Sequence, residues 1–183
     1  YILRHVIRDG DMERVDQLLA MSSVQQALRE DECAKLVMCA AAESANSSIF
    51  EKLSNTKVLK QNPVAVLRSA VKGGSVAIIN QLLKHEFVRE KVGDEKNSVL
   101  LSAVKSNHFT VVERLLKYDA VKQNKNNYRI FRIAAKHGYQ GIACQLLEMG
   151  QVKARACKSK NSALKYAMKN GCEILERKLL LLP

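Results

Sequence analysis

Lysines at positions 72, 105, 136 and 169 recur at intervals of 33, 31 and 33 residues. Cations at a regular period can line one face of a repeating scaffold and bind an anion there. That anion could be an acidic protein surface, a nucleic-acid backbone or phospholipid head groups. Arg8 and Glu43 occupy the same register upstream, so five of the six positions are basic. A cation near a helix C-terminus also suits the macrodipole, so a solvated, merely structural face is the competing reading. Ser106, His137 and Asn170 directly follow Lys105, Lys136 and Lys169. Tyr128, Asn97 and Asn161 stand where connectors should expose their tips. An aromatic ring at such a tip would anchor a partner at little entropic cost, which singles out Tyr128. Its alternative is packing on its own connector.

Other chemistries find little support. The histidines His5, His85, His108 and His137 are dispersed over separate segments, and no H-x-x-x-H or C-x-x-C pair exists to hold a metal. Cys33 and Cys39 lie six residues apart, and a Cys172–His137 dyad has no spacing to favour it. Gly73 and Gly74 lack the Lys-Ser/Thr and the preceding strand of a phosphate loop, so they end a helix. We expect no catalysis, no cofactor and no metal.

The lysine register belongs to a larger period. An anchor residue recurs at Val6, Ala41, Ala70, Ala103, Ala134 and Ala167, two positions before each charge. Three residues before each anchor sits a large apolar residue: Leu3, Met38, Leu67, Leu100, Phe131 and Leu164. The i, i+3 spacing puts both on one helix face. Four residues after the anchor comes Gly10, Gly74, Asn107, Gly138 or Gly171, suited to a left-handed helix end, with Ala45 the exception. Copy two is therefore expected to be looser or re-angled. Leu pairs follow, as at Leu115 and Leu116, and then a connector valine: Val24, Val58, Val88, Val121 or Val152. Asp31, Asn46, Asn62 before Pro63, Ser98, and Asn161 with Ser162 offer N-caps. Helix, turn, helix at about 32 residues predicts a single solenoid over 1–183, with copies near 1–30, 31–61, 62–94, 95–125, 126–158 and 159–183. If units stack about 8–10 Å apart, the four lysines form a ladder roughly 30 Å long.

Composition agrees with a helical chain. Among 183 residues there is no Trp, and there are two Pro and eight Gly. Strand signals are absent. Five cysteines without framework spacing read as reduced thiols of a cytoplasmic protein. The run Leu179–Leu182 is too short to span a bilayer, so no transmembrane segment is expected. It reads instead as a seam that a further domain would cover, and Tyr1 as already helical, which suggests a piece of a longer protein. Net charge is +12, with 14 Lys and Arg against 4 Asp and Glu from Lys117 onward. Such asymmetry favours an anionic partner. Few aromatics are available for base stacking, which ranks nucleic acid below protein.

These marks resemble the ankyrin repeat along essentially the whole chain. Ser98–Val104, Asn107 with His108, Val112, and Leu115 with Leu116 follow its pattern. Ala134, Ala135, Gly138, Leu146 and Leu147 repeat it. No copy keeps the Pro-Leu-His core, and the Gly-Ala-Asp connector is replaced by Leu-Leu-x4-Val, so the fingers should be shortened, irregular or helical. The resemblance implies an all-α solenoid of about six helix-turn-helix repeats and a non-catalytic protein-interaction module. Its concave surface would comprise Lys72, Lys105, Lys136, Lys169, His137, Tyr128 and Asn170 and hold an acidic partner protein. Divergent arrays of this kind also look like those of secreted effectors of intracellular bacteria, which hold host proteins after delivery into the host cell. A sequence-independent binder of nucleic acid or anionic membrane is the alternative, and a spacer for an outside enzyme domain a third.

Overall fold

The computed structural model describes residues 2–182, and within them the side chains of all but Thr56, Lys160 and Asn161. The helical start expected at Tyr1 and the cap expected of Asn161 lie outside the described residues. Regular structure among the described residues is helical throughout. The chain divides into two compact units, Tyr1–Lys91 and Val92–Pro183.

The first unit holds α1 (Ile2–Asp9), α2 (Met12–Ala20), α3 (Ser22–Ala27), α4 (Asp31–Glu43), α5 (Ser47–Leu53), α6 (Thr56–Gln61), α7 (Pro63–Gly73), α8 (Val76–Leu82) and α9 (Glu86–Lys91). The second holds α10 (Asp94–Lys105), α11 (Phe109–Leu115), α12 (Asp119–Lys122), α13 (Asn127–Lys136), α14 (Gln140–Leu147), α15 (Gly150–Lys158), α16 (Lys160–Lys169) and α17 (Glu173–Leu180). Each copy is an inner helix followed by an outer one, and the inner helices stack in order: α1, α4 and α7 in one unit, α10, α13 and α16 in the other. All six anchors are buried, because the i, i+3 pair of each copy faces the stack.

The fingers are helical, and α3, α6, α9, α12 and α15 are the connectors. Their valines explain why: Val58, Val88, Val121 and Val152 are buried, so a single helical turn drops one apolar side chain onto the stack. Val24 of α3 is only half-buried.

Every inner helix ends in a left-handed residue. Gly74 holds φ 74°, Asn107 φ 55° and Ala45 φ 59°. Copy two thus makes the same turn as the others, and its lack of a glycine has not loosened it. Packing holds it there: α4 and α7 approach so closely that a Cβ on Gly73 would lie 2.3 Å from the Glu43 carbonyl oxygen. Gly73 therefore serves the contact between copies as well as the helix end.

Two expected caps behave otherwise. Asp31 does not cap α4; its carboxylate accepts from Lys57 Nζ at 3.1 Å and Gln61 Nε2 at 3.4 Å, tying α4 to connector α6. Those bonds hold its carboxyl below the usual value. Ser98 lies inside α10, whose first turn is left-handed at Glu95, Lys96 and Asn97 (φ 49°, 59° and 63°). Asn97 is fully buried there and is no connector tip. Its Nδ2 donates to Val121 O at 3.1 Å and to Asn127 Oδ1 at 2.7 Å. The equally buried Asn127 donates to Val121 O at 2.7 Å and Lys122 O at 2.9 Å. Two side-chain amides thereby satisfy the carbonyls that end α12, as buried polar groups require.

Candidate partner-binding surface

The charged column sits at the C-terminal turn of each inner helix, where the stack brings successive copies side by side. In the first unit it is closed upon itself. The Glu43 carboxylate accepts from Lys72 Nζ at 2.6 Å and lies 3.7 Å from the Arg8 guanidinium, so one acid joins two cations.

In the second unit the column stays open. Lys105, Lys136 and Lys169 are exposed, and no carboxylate of the described residues pairs with them. The cause is visible in the placement of acids. Residues 92–183 carry 17 Lys and Arg against 7 Asp and Glu, a net of +10. Glu113 lies on α11, Asp119 on α12, Glu148 at the end of α14, and Glu173 and Glu176 on α17; Asp94 and Glu95 lie at the far end of α10 from Lys105. Inner helices α13 and α16 bear no acid at all, and α13 adds exposed Arg129 and Arg132, α16 exposed Lys165. Apart from Asp94 and Glu95 at the far end of α10, the acids of this unit sit on outer helices and connectors. These three extra cations were not singled out by the period, although counting charge separately for inner and outer helices would have found them.

The remaining expected site residues divide. His137 caps the C-terminus of α13, is exposed, and stacks on Tyr139 with ring centroids 5.6 Å apart. Asn170 is committed to the scaffold. Its Nδ2 donates to Ala135 O at 2.9 Å and Lys136 O at 3.1 Å, two carbonyls at the end of α13. It ties the C-terminal ends of α13 and α16 together. Tyr128 is half-buried against Phe131, with centroids 6.0 Å apart, and its hydroxyl lies 3.5 Å from Ser159 O. It stands eight residues before Lys136, about 12 Å along the helix, at the connector end of the same element. The packing reading thus describes its ring, while its position keeps it at the edge of the basic face.

The thiols are free. Burial pushes those of Cys39, Cys144 and Cys172 upward, which keeps them protonated and weakly nucleophilic at neutral pH. Cys172 Sγ lies against Gly138 O and Asn170 O, at 3.7 and 3.9 Å, with no bond to His137. Among the described residues no group of three metal-ligating side chains forms, and no helix is long and apolar enough to cross a membrane.

The family described as Ankyrin repeats (3 copies) matches the chain twice, over residues 36–127 and 100–181. No curated protein and no solved structure matches it.

Proposed function

The chain belongs to the ankyrin-repeat family, whose repeats serve generally as protein–protein interaction modules, and on that premise we propose that it holds an acidic partner protein on the inner-helix face of its second unit. The observation that carries this reading is the open lysine column. Lys105, Lys136 and Lys169 have no carboxylate partner among the described residues, on helices from which acids are nearly excluded. An unpaired cation costs little to bring against an anion, whereas a paired one must first lose its partner. Lys72 differs in this respect because Glu43 already holds it. Exposed Arg132 and Lys165 widen the same face, His137 borders it, and Tyr128 marks its connector edge. Binding is non-catalytic and needs no cofactor. The module works in the cytoplasm, and within a delivered effector the partner would be a host protein.

The test is capture from eukaryotic lysate with and without nuclease, beside the variant Lys105→Glu, Lys136→Glu, Lys169→Glu. All three side chains are exposed, so the variant should keep its helicity and melting temperature. A discrete acidic protein that survives nuclease and is lost with the variant supports the proposal. Broad, nuclease-sensitive recovery with steep salt dependence assigns the face to nucleic acid instead. Unchanged capture by the variant rejects the lysine column, and absence of any specific partner favours a spacer.

A further inference from the structure

The open column carries spacing as well as charge. α10, α13 and α16 pack against one another in order, so Lys105, Lys136 and Lys169 present one cation per copy at the spacing of packed helices, about 8–10 Å. One turn earlier on the same faces, Arg132 and Lys165 make the row two cations deep on α13 and α16. Both are exposed and, like the column itself, have no carboxylate partner among the described residues.

A row at this spacing selects among backbone conformations. A β-strand turns alternate residues to opposite faces, so its acids can recur on one face about 6.5 Å apart or about 13 Å apart, and both miss the lysines. A polyproline II segment has about three residues per turn and rises about 3.1 Å per residue, so every third side chain points the same way, about 9 Å from the last. An α-helix laid across the row would need an acid at every seventh residue, about 10.5 Å apart, beyond the wide edge of the lysine spacing. A self-repelling acidic segment is also extended before it binds, and so loses less freedom on docking.

We propose that the second unit holds an extended acidic segment of its partner, in polyproline II conformation with Asp or Glu at every third residue, which crosses α10, α13 and α16 and sets one acid on each lysine of the column. The inference rests on the open column being the binding face, and adds the form of what that face holds.

Fluorescence-anisotropy titration of the full chain with a labelled peptide of Glu-Pro-Ser repeats, long enough to offer three glutamates, tests it. Beside it run an isomer of the same composition with glutamate at every second position, a helical peptide of equal charge with glutamate at every seventh, and oligothymidylate. The Glu-Pro-Ser peptide should bind saturably and about fivefold more tightly than its isomer. Lys136→Gln removes the middle cation and should erase most of that preference. Lys117→Gln, the same charge change at an exposed position just past α11, should leave it intact. Equal affinity for the two isomers, with both lost in the variant Lys105→Glu, Lys136→Glu, Lys169→Glu, overturns the three-residue period and leaves the lysine column as the binding face. Binding that survives the triple variant overturns the period and the column together. Tighter binding of the helical peptide overturns the proposal in favour of a helix, and tighter binding of oligothymidylate in favour of nucleic acid. Failure of every peptide while lysate capture stays lysine-dependent overturns it in favour of a folded acidic surface.

Discussion

Ala45 bears a backbone conformation that every other copy gives to Gly or Asn. A left-handed alanine costs about 1–2 kcal/mol through the clash of its Cβ with the carbonyl that follows, and Ala45 is exposed, so its methyl group contributes little packing in return. Ala45→Gly is therefore expected to stabilise the protein by about 1 kcal/mol, raising its melting temperature by roughly 2–4 °C. A lower temperature would show that alanine's smaller chain entropy in the unfolded state outweighs the strain. Gly73 is the opposite case. A methyl group there meets the Glu43 backbone, which cannot swing aside as a side chain could. Gly73→Ala should cost about 2 kcal/mol in denaturant unfolding; a loss below about 0.5 kcal/mol would mean that α4 and α7 separate easily. Both effects lie at turn positions that local spacing revealed, but only one was legible there. The period located the left-handed residue; the close approach of Gly73 depends on a copy some 30 residues away, and no local pattern carries that.

At the scale of elements, the connectors divide by what they bury. α12 is held by Asn97 and Asn127, so Asn127→Ala removes three hydrogen bonds at once, two donated to Val121 O and Lys122 O and one accepted from Asn97 Nδ2. The expected loss is about 3 kcal/mol, and Asn127→Asp should also fail, since a carboxylate accepts but cannot donate to these carbonyls. In α3 nothing is buried. Its amides should exchange with solvent far faster than those of α6, α9, α12 and α15, and equal protection would contradict the packing described. The Glu148–Lys178 pair links α14 to α17 and shows how small surface electrostatics can be. Lys178 holds the Glu148 carboxyl below its ordinary 4.5, and Glu148 holds the Lys178 ammonium above 10.5. The carboxylate's share of stability is lost as pH falls through its lowered value, and the ammonium's as pH rises through its raised one. The pair is therefore complete between those limits, though solvent screens it. Lys178→Met should accordingly lower the unfolding midpoint slightly at neutral pH and not at all in molar salt. Helix periodicity placed these elements well. It could not show that the Leu-Leu-x4-Val connectors become helices, because one valine per connector is too short a run to carry a period, nor that Asn97 turns inward from a left-handed segment without glycine.

In the second unit the inner helices α13 and α16 carry only basic charge. The sequence displays the +10 of residues 92–183 openly, yet the lysine period alone makes Lys72 the equal of Lys105, Lys136 and Lys169. The salt link from Glu43 to Arg8 and Lys72 joins residues 35 and 29 positions apart and becomes visible only when the inner helices stack. Glu43→Lys should therefore make the corresponding column of the first unit basic by removing the acid that joins Arg8 and Lys72. Its expected readout is a steeper salt dependence of partner capture than the parent shows, and an unchanged slope would confine the binding face to the second unit. The anchors, the turns and the repeat number follow from side-chain volume at fixed spacing, which local sequence records. Which cations stay unpaired follows from contacts between copies, which it does not.

The shared amides of Asn97 and Asn127 also bear on how such a gene can change. Unequal crossing-over adds or removes whole periods, and a joint made only of apolar contact tolerates the exchange. Between copies four and five the joint includes two buried amides that recognise each other and the end of α12. A crossover that parts them leaves an unmatched amide in the core of one product, so these two copies are inherited together or lost together.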